Sequence, residues 1–193
     1  MNKLKNYFRE SLKEKYILLT KEAVRKKSEI IANQIFSLDE YIFAKTVMVY
    51  LSTQNEVCTD AVIDDALASG KKVCVPKCAK EGANDMLAYE ISSRHNLFPG
   101  RFSILEPGDD AVCVEKKEID LVLTPALALS ENGARLGRGG GFYDGFLKDF
   151  PGIKAGLCFD EFLFEQLPTQ THDIFMDIVI TDRRVILACR KAY

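Results

Sequence analysis

Apolar residues recur at helical spacing in the first forty residues. A stripe with a repeat of four opens the chain: Leu4, Phe8, Leu12 and Tyr16. Such a stripe is typical of an amphipathic helix. Thr20 can cap a second helix, whose predicted inward positions are Val24, Ile31, Ile35 and Leu38. The pattern therefore predicts two N-terminal helices that each offer one apolar face.

From Val47 onwards the pattern changes to short apolar runs that alternate with helices. The run 47–51 predicts a buried strand, Thr59 predicts the cap of a helix that stops at Gly70, and 72–76 predicts the next strand. A strand, helix and strand within about 30 residues form a βαβ unit with parallel strands. Met86 to Ile91 predicts an edge strand. Further strands are predicted at 119–124, 155–159, 178–181 and 185–188.

We expect residues 1–193 to form one domain, because the chain has a suitable length and no internal repeats or linkers. The predicted fold is three-layer α/β and Rossmann-like, with a mostly parallel sheet flanked by helices and an N-terminal helical segment.

Composition argues against several classes of protein. The 26 basic and 28 acidic residues give a formal charge of −2, so no long-range field favours nucleic acid. No apolar run approaches the roughly 20 residues of a membrane-spanning helix, and the basic N-terminus lacks the apolar core of a secretory signal. We expect a cytoplasmic monomer that binds neither nucleic acid nor membrane.

The cysteines are scattered, most of them in apolar strand-like runs: Cys58, Cys74, Cys78, Cys113, Cys158 and Cys189. This pattern favours buried, reduced thiols over a disulfide framework. Cys74 and Cys78 are four positions apart in a chain with two histidines, which is a poor basis for a zinc site.

The segment from Arg135 to Asp144, here named the glycine loop, carries the strongest chemical signal. It follows the strand that is predicted to end near Thr124 and precedes a predicted helix over 143–148. Glycines permit positive φ, so several N–H groups can point at one anion, and the helix start adds partial positive charge. Arg135 and Arg138 add two cations whose geometry suits phosphate oxygens. Because open α/β sheets bind ligands at the carboxyl ends of their strands, the loop predicts a nucleotide phosphate site.

The glycine loop also has a simpler interpretation. Its spacing matches neither the usual P-loop nor the dinucleotide fingerprint, and a flexible glycine turn flanked by solvated arginines is the alternative. Asp144 is either an acid favoured by the helix dipole or a magnesium ligand, since such sites use one or two carboxylates plus phosphates.

A cationic stripe lies on the first predicted helix, at Lys5, Arg9 and Lys13. Like charges four residues apart cost a few tenths of a kcal/mol per pair unless something offsets them. Water with Glu10 and Glu14 is one candidate, and a bound polyphosphate is the other.

The sequence Arg135-Leu136-Gly137-Arg138-Gly139-Gly140-Gly141-Phe142-Tyr143-Asp144 resembles the signature of the 5-formyltetrahydrofolate cyclo-ligases, also called methenyltetrahydrofolate synthetases. The order and spacing of weaker matches extend the resemblance from about Lys5 to about Asp182. These matches are Tyr50-Leu51-Ser52, Glu56-Val57-Cys58-Thr59, Lys71-Lys72-Val73, Val75-Pro76, Glu106-Pro107, Leu167-Pro168, His172-Asp173 and Ile178-Val179-Ile180-Thr181.

The resemblance implies a fold of the sugar-phosphate isomerase and CoA-transferase type, and an enzyme that uses two small-molecule substrates. It implies that ATP and Mg²⁺ convert 5-formyltetrahydrofolate into 5,10-methenyltetrahydrofolate, ADP and phosphate. The formyl oxygen would be phosphorylated, and nitrogen 10 would then close the ring.

The resemblance also implies roles for residues. The implied ATP-binding residues are Lys5, Arg9, Arg135, Leu136, Gly137, Arg138, Gly139, Gly140, Gly141, Phe142 and Tyr143. Arg138 would stabilise the transferring phosphoryl group, and Tyr143 would lie near the folate as the second catalytic residue. Leu51, Glu56 and Tyr143 would bind the folate, and Asp144 and Asp173 would hold magnesium. Phe142 stands where the family often has a second tyrosine, so stacking replaces a hydroxyl there.

Several of these residues have structural alternatives. Leu51 fits the core as well as a pocket, Glu56 can favour a helix start, and Asp173 can shape a turn. A sugar-phosphate isomerase and a non-catalytic nucleotide-binding module are alternative functions. Paired acids and a cationic helix favour a metal-bound triphosphate over a sugar phosphate.

Overall fold

The computed structural model describes residues 3–78, 85–100 and 105–188. The helices in these ranges are α1 (Lys3–Ile17), α2 (Lys21–Phe36), α3 (Asp39–Ile42), α4 (Asp60–Ala68) and α5 (Phe142–Leu147). The strands are β1 (Thr46–Val49), β2 (Lys72–Cys78), β3 (Met86–Ile91), β4 (Leu97–Pro99), β5 (Leu105–Pro107), β6 (Cys113–Val114), β7 (Leu121–Pro125), β8 (Ala128–Ser130), β9 (Arg135–Leu136), β10 (Ile153–Leu157), β11 (Leu163–Phe164), β12 (Ile178–Ile180) and β13 (Val185–Leu187).

Eight strands form the central sheet, in the order β13-β12-β10-β7-β1-β2-β3-β6. The five strands from β12 to β2 are parallel to one another, whereas β13, β3 and β6 pair antiparallel at the two sides. Small sheets of order β11-β8-β9 and β4-β5 lie beside it. The predicted α/β fold with a mainly parallel sheet and flanking helices is confirmed, and so is the parallel pairing of β1 with β2.

The N-terminal helices form as predicted, with differences in which side chains are buried. Thr20 caps α2, because its hydroxyl oxygen accepts a hydrogen bond from the Ala23 N–H at 3.2 Å. On α1, Leu12 is buried while Leu4 is exposed, so the apolar stripe reaches the core only after its first turn. The predicted inward residues of α2 divide in the same way: Ile31 and Ile35 are fully buried, and Val24 is half-buried against the core. Leu38 also packs against the core, but its predicted place in this helix is wrong, because α2 ends at Phe36 and Leu38 precedes α3.

Two local predictions need correction. Thr59 is the N-cap residue of α4, as predicted, but its buried hydroxyl donates to the Tyr50 carbonyl at 2.6 Å and makes no capping hydrogen bond. The strand β3 is not an edge strand, since β6 pairs with it through Ala88 and Tyr89. A two-residue strand such as β6 has too short a pattern to be predicted.

The five described cysteines are not uniformly buried. Cys74 and Cys158 are buried, Cys58 and Cys78 are half-buried, and Cys113 is exposed on β6, where the prediction of burial is wrong. Burial raises the pKa of the Cys74 thiol to about 12. Cys189 lies outside the described residues.

Carboxylates close the amino edge of the parallel strands. Asp120, just before β7, accepts the backbone N–H groups of Lys45 and Thr46 at 2.7 and 2.9 Å. Asp177, just before β12, accepts the backbone N–H of Lys154 at 2.9 Å and pairs with its ammonium at 2.6 Å. These acids therefore give backbone N–H groups at the amino ends of β1 and β10 a charged acceptor.

Candidate active site

The glycine loop lies beyond the carboxyl end of β7, but its first two residues belong to a strand. Arg135 and Leu136 form β9, which pairs antiparallel with β8, and both residues are buried. The prediction that the open loop begins at Arg135 is therefore wrong, because Leu136 is an apolar core residue. The open part runs from Gly137 to Gly141 and leads into α5.

Arg135 braces the base of this loop. Its Nη2 donates to Asp144 Oδ1 at 3.1 Å and its Nη1 to the Pro125 carbonyl at 3.3 Å. The guanidinium also lies over the Tyr143 ring, 5.4 Å from its centroid. Because its side chain is only 4% exposed, Arg135 holds the start of α5 against the end of β7 and offers little to a ligand in this arrangement.

Helix α1 packs its cationic side against the open loop. Arg9 Nε donates to the Gly137 carbonyl at 2.9 Å, and Arg9 Nη1 donates to Asn6 Oδ1 at 2.8 Å. Gly139 has a φ of +102°, and a Cβ there would come within 3.3 Å of the Arg9 guanidinium carbon. The glycine is thus needed both for its backbone conformation and for the close approach of Arg9.

Lys5 forms the second contact of α1, with the segment between β11 and β12. Its ammonium pairs with the Asp173 carboxylate at 2.5 Å, and the two side chains are 9% and 6% exposed. Asp173 Oδ2 also accepts the backbone N–H of Gln170 at 2.6 Å. Both oxygens of Asp173 therefore already have partners. Among the residues of the predicted cationic stripe, Lys13 points away, and its ion pair is with exposed Glu10.

Arg138 connects the glycine loop to the segment that follows β1. Its Nε and Nη2 donate to Glu56 Oε1 at 3.1 and 2.9 Å, and Nη2 also donates to Thr53 Oγ1 at 2.9 Å. Glu56 Oε2 accepts the Thr53 backbone N–H at 2.8 Å. The Glu56 side chain is 13% exposed and that of Arg138 is 63% exposed. Two residues that the sequence predicts for different substrates are thus in direct contact.

Tyr143 places a neutral hydroxyl at the base of the same region. That hydroxyl is buried and has no hydrogen-bond partner among residues 3–78, 85–100 and 105–188. Burial raises the pKa of Tyr143 well above its ordinary value, although the nearby Arg135 charge opposes the rise. The group therefore stays protonated at neutral pH and can donate to a ligand. Leu51, the other predicted folate contact outside the loop, is half-buried and packs against the core.

The predicted magnesium ligands differ in how well they suit a cation. Asp144 gives Oδ1 to Arg135, and no described residue is bonded to its Oδ2, so the carboxylate can accept Mg²⁺ beside phosphate oxygens. Asp173 is saturated by Lys5 and Gln170. Within the described ranges, no group of three or more His, Cys, Asp or Glu side chains could hold a metal by itself. The site therefore fits a metal that arrives with phosphates.

Sequence patterns do not identify several residues that support this region. Tyr16 stacks on Phe162 with ring centroids 4.0 Å apart and donates to the Leu127 carbonyl at 2.9 Å. Asn55 adopts a φ of +68° and donates to the Tyr16 carbonyl at 3.3 Å. Thr53 and Asn6 also contact predicted site residues, namely Arg138 and Arg9. The only sequence signal for either is its position, three residues before the predicted Glu56 and Arg9 respectively.

Taken together, the site gathers four cations, three carboxylates and two hydroxyl groups beyond the carboxyl ends of β1 and β7. That position defines an α/β protein with a charged ligand site at the carboxyl edge of its parallel sheet. None of the described helices is long and apolar enough to cross a bilayer.

Comparison with known proteins identifies the family. The model of the 5-formyltetrahydrofolate cyclo-ligase family matches residues 1–182. The 5-formyltetrahydrofolate cyclo-ligase of Escherichia coli (strain K12) is 32% identical over 171 residues, which cover 86% of this chain and 94% of that one. The Mus musculus protein of the same name is 29% identical over 191 residues, or 93% and 94% of the two chains. The chain therefore belongs to the 5-formyltetrahydrofolate cyclo-ligase family.

Solved structures agree with this assignment. The NMR structure of the Aquifex aeolicus 5,10-methenyltetrahydrofolate synthetase superposes with a TM-score of 0.86 at 32% identity, covering 98% of this chain and 95% of that one. A 5,10-methenyltetrahydrofolate synthetase from Mycoplasma pneumoniae superposes with a TM-score of 0.74 at 19% identity, which supports the fold. The resemblance seen in the sequence is confirmed, and with it the prediction that the chain is an enzyme of the cyclo-ligase kind.

Proposed function

We propose that this enzyme converts 5-formyltetrahydrofolate and ATP into 5,10-methenyltetrahydrofolate, ADP and phosphate, with magnesium required. The contact between Arg138 and Glu56 is the observation that carries the proposal. It brings the predicted phosphoryl-stabilising cation to 2.9 Å from the predicted folate-binding carboxylate. An enzyme that phosphorylates its folate needs these two subsites to adjoin, whereas two unrelated binding sites do not.

The chemistry requires activation of a poor electrophile. A formyl group on nitrogen is an amide, so its carbon does not react readily with nitrogen 10. When the γ-phosphoryl group moves to the formyl oxygen, the bond to ADP breaks and the carbon becomes iminium-like. Nitrogen 10 then attacks that carbon and loses its proton, and the carbon–oxygen bond breaks to release phosphate.

The side chains in the site match the requirements of this transfer, which are positioning and charge stabilisation. The Gly137–Gly141 backbone, Lys5 and Arg9 would bind the phosphates, and the exposed Arg138 would stabilise the phosphoryl group during its transfer. The protonated Tyr143 hydroxyl would donate to the formyl or phosphoryl oxygen. Half-buried Leu51 and Phe142 would provide apolar contact to the bound substrates.

Asp144 is the residue that best suits magnesium, together with phosphate oxygens of ATP. The metal, when bound, would neutralise charge on the phosphates. Asp173 would bind the metal only if its ion pair with Lys5 breaks. A bound phosphate would favour this, because it gives the Lys5 ammonium another partner. We further propose that the enzyme works in the cytoplasm as a monomer; the unpaired thiols of Cys74 and Cys158 fit a reducing compartment.

A direct assay tests the proposal. Purified protein is incubated with 5-formyltetrahydrofolate, with and without ATP and magnesium, while the near-ultraviolet band of the methenyl product is followed. We expect product only when both are present, and a half-maximal rate at a defined magnesium concentration. Absence of ATP-dependent product contradicts the proposed reaction, and unchanged turnover in a metal chelator contradicts the magnesium requirement. A sugar-phosphate isomerase would form no methenyl product under any of these conditions.

A further inference from the structure

The contacts of Arg138 leave one edge of its guanidinium available. Arginine has five N–H donors in a planar group. Three of them are engaged, one on Nε and two on Nη2, by Glu56 and Thr53. None of the described residues accepts a hydrogen bond from Nη1, so that edge can meet a phosphate oxygen while the opposite edge stays held.

Thr53 fixes the orientation of that free edge. Both hydrogen bonds from Arg138 to Glu56 end on the same oxygen, Oε1, which acts as a pivot for the guanidinium plane. The Thr53 hydroxyl supplies the second, separate acceptor, and two acceptors define an orientation that one acceptor leaves loose. The Arg138 side chain is 63% exposed and receives little restraint from packing, so these hydrogen bonds must orient it.

Thr53 also holds the acceptor that acts as the pivot. Its backbone N–H donates to Glu56 Oε2 at 2.8 Å, and its carbonyl accepts the Glu56 N–H at 3.1 Å. The backbone of Thr53 therefore positions Glu56, whereas its hydroxyl positions Arg138. A substitution that changes only the hydroxyl separates the two roles.

We propose that Thr53 is a positioning residue for phosphoryl transfer: its hydroxyl orients Arg138 so that the Nη1 edge faces the phosphate to be moved. This inference rests on the proposed function for the identity of that phosphate. Thr53 acts through Arg138 and does not itself touch the substrate.

The test compares Thr53→Val, which keeps the shape and removes the hydroxyl, with Thr53→Ser, which keeps the hydroxyl. Thr169→Val is the matched control, because Thr169 is an exposed threonine without contacts to Arg138 or Glu56. We expect Thr53→Val to lower kcat/KM for ATP about 3- to 10-fold, the value of one hydrogen bond. The KM for the folate should change by less than about twofold, since the backbone contact to Glu56 remains. The serine variant and the control should stay within about twofold of the wild type.

A double-mutant cycle separates orientation of Arg138 from a general effect on the loop. In an Arg138→Ala background, Thr53→Val should cause no further loss beyond about twofold, because its target is gone. An equal loss in both backgrounds, or wild-type behaviour of Thr53→Val, overturns the proposal. Unfolding midpoints in urea confirm that each variant is folded.

Binding of a non-hydrolysable ATP analogue with magnesium, measured by calorimetry, provides a readout without turnover. We expect weaker binding by Thr53→Val and unchanged binding by Thr53→Ser. Tighter binding by Thr53→Val shows that the contact restrains Arg138, and this too overturns the proposal. If the wild type binds the analogue but forms no methenyl product from ATP in the direct assay, the proposed function alone is contradicted. If the wild type does not bind the analogue, both proposals are contradicted.

Discussion

The two edges of the parallel sheet use carboxylates in different ways. At the amino edge, Asp120 accepts backbone N–H groups from Lys45 and Thr46, and both of its contacts stay within the sheet. At the carboxyl edge, Glu56 accepts the Thr53 N–H with one oxygen, but its other oxygen contacts the exposed Arg138, which lies 82 positions away in the sequence. An acid that serves the backbone is part of the fold, and losing its partner would fray a strand. An acid that serves a side chain can change partners while the strands stay intact.

This difference explains why the carboxyl edge can act chemically. Each predicted phosphate-binding cation has an acidic or carbonyl partner, and all but the partner of Arg135 come from remote segments: Lys5 with Asp173, Arg135 with Asp144, Arg138 with Glu56, and Arg9 with the Gly137 carbonyl. A bound polyphosphate would compete with these partners. We therefore expect variants at the carboxyl edge to change turnover, and variants at the amino edge to change stability.

Arg138→Ala should give the largest effect. Removing a cation that stabilises the phosphoryl group should lower kcat at least about 100-fold, by analogy with other transition-state donors. The free energy of unfolding should change by less than about 1 kcal/mol, because the side chain is 63% exposed and its ion pair is partly screened. The near-ultraviolet assay and urea unfolding measure the two quantities. Arg183→Ala, another exposed cation at this edge, is the control and should keep its activity.

Activity of Arg138→Ala within about twofold of the wild type, equivalent to about 0.4 kcal/mol in barrier, would remove Arg138 from the proposed mechanism.

Tyr143→Phe should lower turnover without lowering the free energy of unfolding. The buried hydroxyl has no partner among the described residues, so its removal should leave the free energy of unfolding unchanged or raise it by about 1 kcal/mol. If the hydroxyl donates to the reacting oxygen, turnover should fall about tenfold, or about 1.4 kcal/mol in barrier. A variant that is less stable but equally active would mean that the hydroxyl is structural.

Asp120→Ala tests the amino edge. Two backbone N–H groups lose a charged acceptor, one of them at the partly buried start of β1, so unfolding should become easier by about 1 to 2 kcal/mol. The kcat per folded molecule should not change. Asp120→Asn keeps an oxygen acceptor and should lose less than half as much stability. A fall in kcat without a fall in stability would show that the two edges are not separable.

Alkaline pH gives the smallest expected effect. Burial raises the pKa of Tyr143, while an unfolded tyrosine titrates near 10. Above about pH 10 the unfolded chain therefore loses a proton that the folded chain keeps, so the free energy of unfolding falls as pH rises. At pH 10 this group should cost about 0.4 kcal/mol relative to pH 8. Between pH 8 and pH 10, the free energy of unfolding measured in urea should therefore fall by about 0.4 kcal/mol less in Tyr143→Phe than in the wild type. Identical decreases in the two proteins would contradict this expectation.

The sequence pattern predicts the parts of the fold that rest on long apolar runs. The strands β1, β2, β7, β10 and β12 lie within two residues of their predicted ranges at each end, because continuous burial leaves a continuous apolar pattern. The strands β8, β9 and β11 were not predicted, since two or three residues carry no periodicity and tertiary pairing decides them.

The sequence predicts which residues form the candidate site, but not which of them are in contact. The glycine-arginine pattern and the family resemblance named Arg138 and Glu56, but nothing in their spacing indicates that they touch. Lys5 and Asp173 are 168 positions apart, and their contact depends on how α1 packs. Thr53 lies in none of the matched motifs. Its role is visible only once the hydrogen-bond partners of Arg138 are known.

The pairing of Lys5 with Asp173 also has a consequence for folding during synthesis on the ribosome. Lys5 leaves the ribosome 168 residues before its partner, and at about 5 to 20 residues per second that interval is about ten to thirty seconds. Throughout that interval α1 has neither the Asp173 carboxylate nor, for most of it, the Gly137 carbonyl to bind. The proposed phosphate site therefore comes together only after residue 173 has been synthesised, and no nascent fragment that stops short of that residue contains all of it.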